Sequence, residues 1–121
     1  MKKFFALFLP VLVACSDPVP VEISPAELKK DALILDVRTP EEHRAVSLTQ
    51  DHWLVPLNEL DAGKFVREKG LDSSKPLYIL CRSGKRAKVA AQKFRDAGFK
   101  NAVVIRGGII AAEKDGLPVK K

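Results

Sequence analysis

Four short apolar runs constrain the fold more than anything else in the chain. They are Leu33-Ile34-Leu35-Asp36-Val37, Trp53-Leu54-Val55, Leu77-Tyr78-Ile79-Leu80 and Ala102 to Ile105. Each has strand length, and a continuous apolar run suits a strand covered on both faces. Helix signals lie between them. Ser24-Pro25-Ala26-Glu27 and Thr39-Pro40-Glu41-Glu42 both read as capping boxes with proline at the first helical position. The first predicts a short helix running to about Lys30. Further helices are predicted over Leu57 to Lys69, weakened by Gly63 and stopped by Gly70, over Ala87 to Ala97, stopped by Gly98, and over Ile109 to Lys114. Strands alternating with helices predict an α/β fold with a central parallel sheet and helices on both faces. A chain of 121 residues allows one such domain.

The third run ends at the most reactive-looking stretch, Cys81-Arg82-Ser83-Gly84-Lys85-Arg86. It joins a strand to a helix, so backbone N–H groups and the positive end of the helix face whatever sits in the turn. Here that position holds a thiol, with three cations among the next five residues. Positive surroundings favour the thiolate, and Cys81 is read as a nucleophile. A structural cysteine at a strand end is the competing reading. A core cysteine, however, gains nothing from neighbouring charges that must reach solvent.

The chain opens with Lys2-Lys3 and an apolar stretch from Phe4 to Val13, a pattern of export signals and too short to cross a bilayer as a mature helix. Leu12-Val13-Ala14-Cys15 resembles the bacterial lipobox. That resemblance implies a signal peptide over residues 1–14 and lipidation of Cys15; with Pro18 and Pro20 following, residues 15–21 read as the lipidated cysteine and a tether, ahead of a domain over residues 22–119. The lipobox resemblance also implies a periplasm-facing protein of the bacterial cell envelope. Ser16 after the cysteine leans toward the outer membrane, and several acyl chains anchor firmly where one is marginal. The net charge of +6 is mild, has no long basic run, and falls by two when Lys2 and Lys3 leave. Nucleic-acid binding has little support; attraction of small anions has more.

Asp36 lies inside an apolar run, where an unpaired carboxylate is costly. Arg38 is two residues on, and so on the same side of an extended chain. The pair is read as structural, holding a strand end near the site, with a contact to substrate as the alternative. His43 and His52 are read as surface residues. With Cys15 committed to lipid, no metal ligand set is expected, and no cofactor loop is present in the pattern.

Taken in order, Leu35-Asp36-Val37-Arg38-Thr39-Pro40-Glu41-Glu42, Leu80-Cys81-Arg82-Ser83-Gly84-Lys85-Arg86, Asp96-Ala97-Gly98-Phe99, and Gly107-Gly108 followed by Gly116-Leu117-Pro118-Val119 resemble the successive signatures of a single rhodanese-like domain. The resemblance covers about residues 22 to 119. Two departures stand out. Val46-Ser47-Leu48 replaces the Gly-His-Ile stretch common in the family. Ala112 occupies a place where a large aromatic is common, and Trp53 or a phenylalanine is expected to fill that volume.

The resemblance implies sulfur transfer. Cys81 would take a sulfane sulfur from a donor such as thiosulfate, carry it as a persulfide, and yield it to a thiol or cyanide-like acceptor. Arg82, Ser83, Gly84, Lys85 and Arg86 would bind the donor through loop N–H groups and cations. Gly84 would relieve crowding where the loop turns most tightly. Rhodanese-like phosphatases and arsenate reductases resemble a longer Cys-x5-Arg loop; Cys-x4-Arg here suits a smaller sulfur atom. A non-enzymatic persulfide carrier or binding module at the membrane is a further alternative. With Cys15 lipidated, Cys81 has no resolving partner within the chain.

Overall fold

The computed structural model describes residues 21–121, so the export signal, Cys15 and most of the expected tether lie outside the described residues. Five strands form a parallel sheet: β1 (Glu22–Ile23), β2 (Leu33–Asp36), β4 (Trp53–Leu54), β5 (Leu77–Leu80) and β6 (Ala102–Ile105), in the order β1-β6-β5-β2-β4. The Val21 carbonyl, just before β1, accepts from the Val104 N–H at 2.8 Å. A separate antiparallel pair joins β3 (Ser47–Leu48) to β7 (Val119–Lys120). Sequence patterning predicts neither short strand. Two residues are too few to show a period, and the pair forms only because the chain end returns to this place.

Among the described residues, four α-helices complete the fold: α1 (Pro40–Ala45), α2 (Ala62–Lys69), α3 (Lys85–Asp96) and α4 (Gly108–Lys114). Thr39 starts α1 through the expected capping box, with Glu42 closing it. The helix predicted over Leu57 to Lys69 is in fact two pieces. A 3-10 turn, Leu57–Glu59, is followed by α2, which starts at Asp61 as N-cap. The turn ends at Leu60, whose N–H donates to the Leu57 carbonyl, and Asp61 then caps α2 by accepting from the Lys64 N–H. The helix expected to reach Lys30 is only the 3-10 turn Pro25–Glu27.

Apolar side chains of the central strands pack to both faces, as a doubly covered sheet requires. On one face Leu35, Val37, Leu77, Ile79, Ala102 and Val104 meet α2 and α3. Small residues on α3 (Ala87, Ala90, Ala91) let it lie close to the sheet, and Phe94 fills the space beyond them. Phe94 stands edge-on to both Phe65 and Phe99, and its truncation to alanine should cost about 3–5 kcal/mol. On the other face Ile34, Leu80 and Ile105 meet Ile109 and Ala112 of α4, together with Leu48. Trp53 and the buried phenylalanines belong to the first face, so none fills the volume beside Ala112. Aliphatic side chains and the half-buried Tyr78 fill it instead. The physical reason is placement: the sheet separates Trp53 from α4.

Candidate active site

The C-terminal ends of β2 and β5 lie side by side, with Asp36 in register with Leu80. The Val37 N–H donates to the Leu80 carbonyl, which extends the pairing to the residue before Cys81. Cys81 therefore leaves the sheet at its carboxyl edge, where parallel α/β sheets place their sites. The loop that follows is short, and α3 begins at Lys85.

Two glycines give the loop its shape. Gly84 sits at φ +115°, a conformation that side-chain-bearing residues rarely adopt, and caps α3. The turn it makes brings its N–H to 2.9 Å from Cys81 Sγ, to which it donates. Gly108 supports the loop from behind. A Cβ at Gly108 would overlap the Cys81 and Arg82 carbonyls, so no other residue fits without displacing the loop. The same approach lets the first turn of α4 hold the loop. The Ile109 N–H donates to the Cys81 carbonyl at 2.8 Å and the Ile110 N–H to the Arg82 carbonyl at 3.3 Å. Gly107-Gly108 was expected only as part of a signature. Its position against the nucleophile loop is visible only in three dimensions.

The cysteine is 1% exposed and lies at the floor of the loop. Arg82, Ser83 and Lys85 are exposed at its rim, and Gly84 is buried. Among the described residues, neither Arg82 nor Lys85 has a carboxylate partner. Arg86 differs. Its guanidinium makes a two-pronged contact with Glu42, at 2.7 and 2.8 Å. These bonds hold the Glu42 carboxyl down to about 2 and raise Arg86 further above its ordinary value. The sequence pattern groups Arg86 with the donor-binding cations; the structure directs its guanidinium to α1. No local signal marks this pair, since its members are 44 residues apart.

Asp36 and Arg38 form the expected ion pair, and both are fully buried. Arg38 Nε donates to both Asp36 oxygens at 3.1 Å and Nη2 donates to Oδ2 at 2.8 Å. The rest of the guanidinium donates to the Glu42 carbonyl at 3.2 Å and the Val46 carbonyl at 2.7 Å, at the C-terminal end of α1. One arginine thus neutralises a buried carboxylate and caps a helix end. It fixes the angle at which α1, and with it Glu42, meets the Cys81 loop.

His43 and His52 were expected as separate surface residues. The structure corrects this: both are half-buried and their rings meet, with Nε2 atoms 2.8 Å apart. Burial and then the neighbouring His52 push His43 below the ordinary histidine value. Their nitrogens and the Asp36 carboxylate lie within 4.8 Å of one another.

A family model of the rhodanese-like domain matches residues 24–114. A sulfurtransferase of Allochromatium vinosum is 31% identical over 90 residues, covering 74% of this chain and 79% of its own. The Synechocystis protein slr1261 is 32% identical over 114 residues; the match covers 90% of this chain but 61% of that relative's length. Among solved structures, a rhodanese-related protein of Thermoplasma volcanium is 31% identical, with a TM-score of 0.61 over 82% of this chain and 96% of its own. The rhodanese-like domain of Anabaena Alr3790 superposes with a TM-score of 0.70 at 20% identity, covering 84% of this chain and 80% of its own, a likeness of fold. With the parallel sheet, the Cys81 loop and the family match in agreement, the chain belongs to the rhodanese-like domain family.

Proposed function

We propose that this protein is a sulfurtransferase in which Cys81 carries the sulfur. The observation that supports the reading most is the Gly84 N–H donating to Cys81 Sγ at 2.9 Å, inside a loop whose rim cations have no carboxylate partner among the described residues. A sulfur anion at this place gains a directed N–H donor and a cationic rim, with little room for a larger group. The relatives' name, sulfurtransferase, agrees with that chemistry.

Thiosulfate is the proposed first donor. The Cys81 thiolate attacks its outer sulfur, the new S–S bond forms as the old one breaks, and sulfite leaves with the bonding pair. A thiolate or cyanide then attacks the outer sulfur of the Cys81 persulfide and regenerates the thiolate. Exposed Arg82 and Lys85 attract the dianion. With Cys81 only 1% exposed, a donor or acceptor must present its sulfur-reactive atom at a narrow tip. At the N-terminus, the lipobox-like Leu12-Val13-Ala14-Cys15 supports placement on a bacterial envelope membrane through lipid on Cys15. Fractionation of Cys15→Ser tests the anchor, and continued membrane attachment would overturn it.

Intact mass before and after thiosulfate tests the chemistry. The expected gain is one sulfur atom, about 32 Da, absent from Cys81→Ala and removed by cyanide with release of thiocyanate. No gain with thiosulfate would remove it as donor. No gain with polysulfide or 3-mercaptopyruvate either would overturn the sulfurtransferase reading.

A further inference from the structure

We propose that His43 and His52 form a binding site for a borderline divalent metal ion, Zn2+ first, beside the Asp36–Arg38 pair. Their Nε2 atoms converge at 2.8 Å. His52 Nδ1 stands 2.7 Å from the Gln50 carbonyl, which can only accept, so Nδ1 carries the proton. In the neutral ring this leaves the Nε2 lone pair of His52 aimed at His43. Without metal, the neutral His43 ring donates its Nε2–H to that lone pair in an ordinary hydrogen bond. A metal ion can replace it if His43 carries its proton on Nδ1, a tautomeric change that releases no proton to solvent.

The spacing is close to what one ion needs. Imidazole nitrogens bind zinc at about 2.0–2.1 Å, so two on one tetrahedral ion stand roughly 3.3 Å apart. From 2.8 Å the rings must separate by roughly half an ångström and turn so that both lone pairs aim at one point. Imidazole favours zinc, copper and nickel over magnesium or calcium. The bond from His52 to a backbone carbonyl is the outer contact that orients metal-binding histidines. That carbonyl is itself held in place: Gln50 Nε2 donates to the Lys29 and Lys30 carbonyls at 2.7 and 3.2 Å.

Asp36 lies within 4.8 Å of both ring nitrogens, but both its oxygens already accept from Arg38. It is placed to offset charge from outside the first coordination sphere. The remaining ligands would be water, which reaches the pair through the open cleft lined by Ser47, Thr49, Asp51 and Lys120. Two protein ligands with water imply an exchangeable ion, not a closed four-ligand structural site. The site joins the last turn of α1 to the segment entering β4, beside the Asp36–Arg38 pair. An ion there would stiffen the support of the Cys81 loop without touching it.

The test uses the full-length chain with Cys15→Ser and Cys81→Ser, which removes both thiols. Equilibrium dialysis against Zn2+ should retain one ion per chain, and His43→Ala or His52→Ala should each weaken binding by more than about tenfold. The chain has two histidines, so ring signals in NMR report on this pair alone. Both should shift on adding Zn2+ to the parent and return with a chelator, a readout that does not depend on either alanine variant folding. No retained ion, unmoved ring signals, or undiminished binding in both folded alanine variants would overturn the proposal.

Discussion

Two carboxylate–arginine pairs flank the same loop and do different work. Asp36–Arg38 is sealed, with side chains 0% and 1% exposed, and its members are two residues apart. Glu42–Arg86 is 27% and 33% exposed and bridges 44 residues. In water-rich surroundings an ion pair contributes little, because each charge is already solvated. In a dry interior the pair itself is no great gain over an apolar core, yet losing one partner is severe. The buried pair therefore sets geometry, and the half-exposed pair trims orientation. The contrast also assigns their functional weight. Arg38 positions α1; Glu42, carried on α1, then draws Arg86 away from the rim, leaving Arg82 and Lys85 as the cations open to an anionic donor.

The largest effect should come from removing one member of the sealed pair. Arg38→Met leaves Asp36 charged and buried, and chemical denaturation should show a loss of about 3–5 kcal/mol. The double variant Asp36→Leu with Arg38→Met sharpens the comparison. It removes the stranded charge but still leaves the Glu42 and Val46 carbonyls without their donor, so a deficit of about 1–3 kcal/mol should remain. A double variant no more stable than Arg38→Met would show that helix capping, not charge, is the dominant role.

Arg86→Ala is expected to cost about 1 kcal/mol or less in the same assay. In sulfur-transfer kinetics, Lys85→Ala should raise the thiosulfate KM severalfold and Arg86→Ala less. A larger effect at Arg86 would mean that its guanidinium leaves Glu42 when the donor binds. The smallest effect concerns acid. The folded-state Glu42 carboxyl lies at about 2, against an ordinary 4.5, so its contribution is fully present above about pH 4.5 and is lost as pH falls through about 2. Solvent screening limits it to about 1 kcal/mol. Glu42→Gln should flatten that part of the pH–stability curve, and an unchanged acid limb would break the assignment.

Much of the fold was legible because its strands are continuous apolar runs and its helices carry local start and stop signals. Thr39 and Glu42 close their box within one turn, and Gly98 ends α3 as a left-handed glycine at φ +97°. Elements without internal periodicity were not legible. Strands β3 and β7 hold two residues each, and their partners are supplied by chain return. The break between the Leu57–Glu59 turn and α2 was missed because Asp61, a cap, sits inside a stretch that otherwise looks helical. The assignment of Trp53 or a phenylalanine to the space beside Ala112 failed because sequence does not say which face of the sheet a residue will cover.

By itself, the sequence determined the parallel architecture, the strand–loop–helix around Cys81 and the partnership of Asp36 with Arg38. The last two depend on contacts a few residues apart, which the chain's own stereochemistry enforces; the first follows from strands alternating with helices, because parallel neighbours need such a crossover. The tertiary structure alone decided that Arg86 faces Glu42, that Gly108 lies beneath the Cys81 loop, and that His43 meets His52. Each depends on how separate elements dock. Docking follows the summed burial of many side chains, which no short motif records.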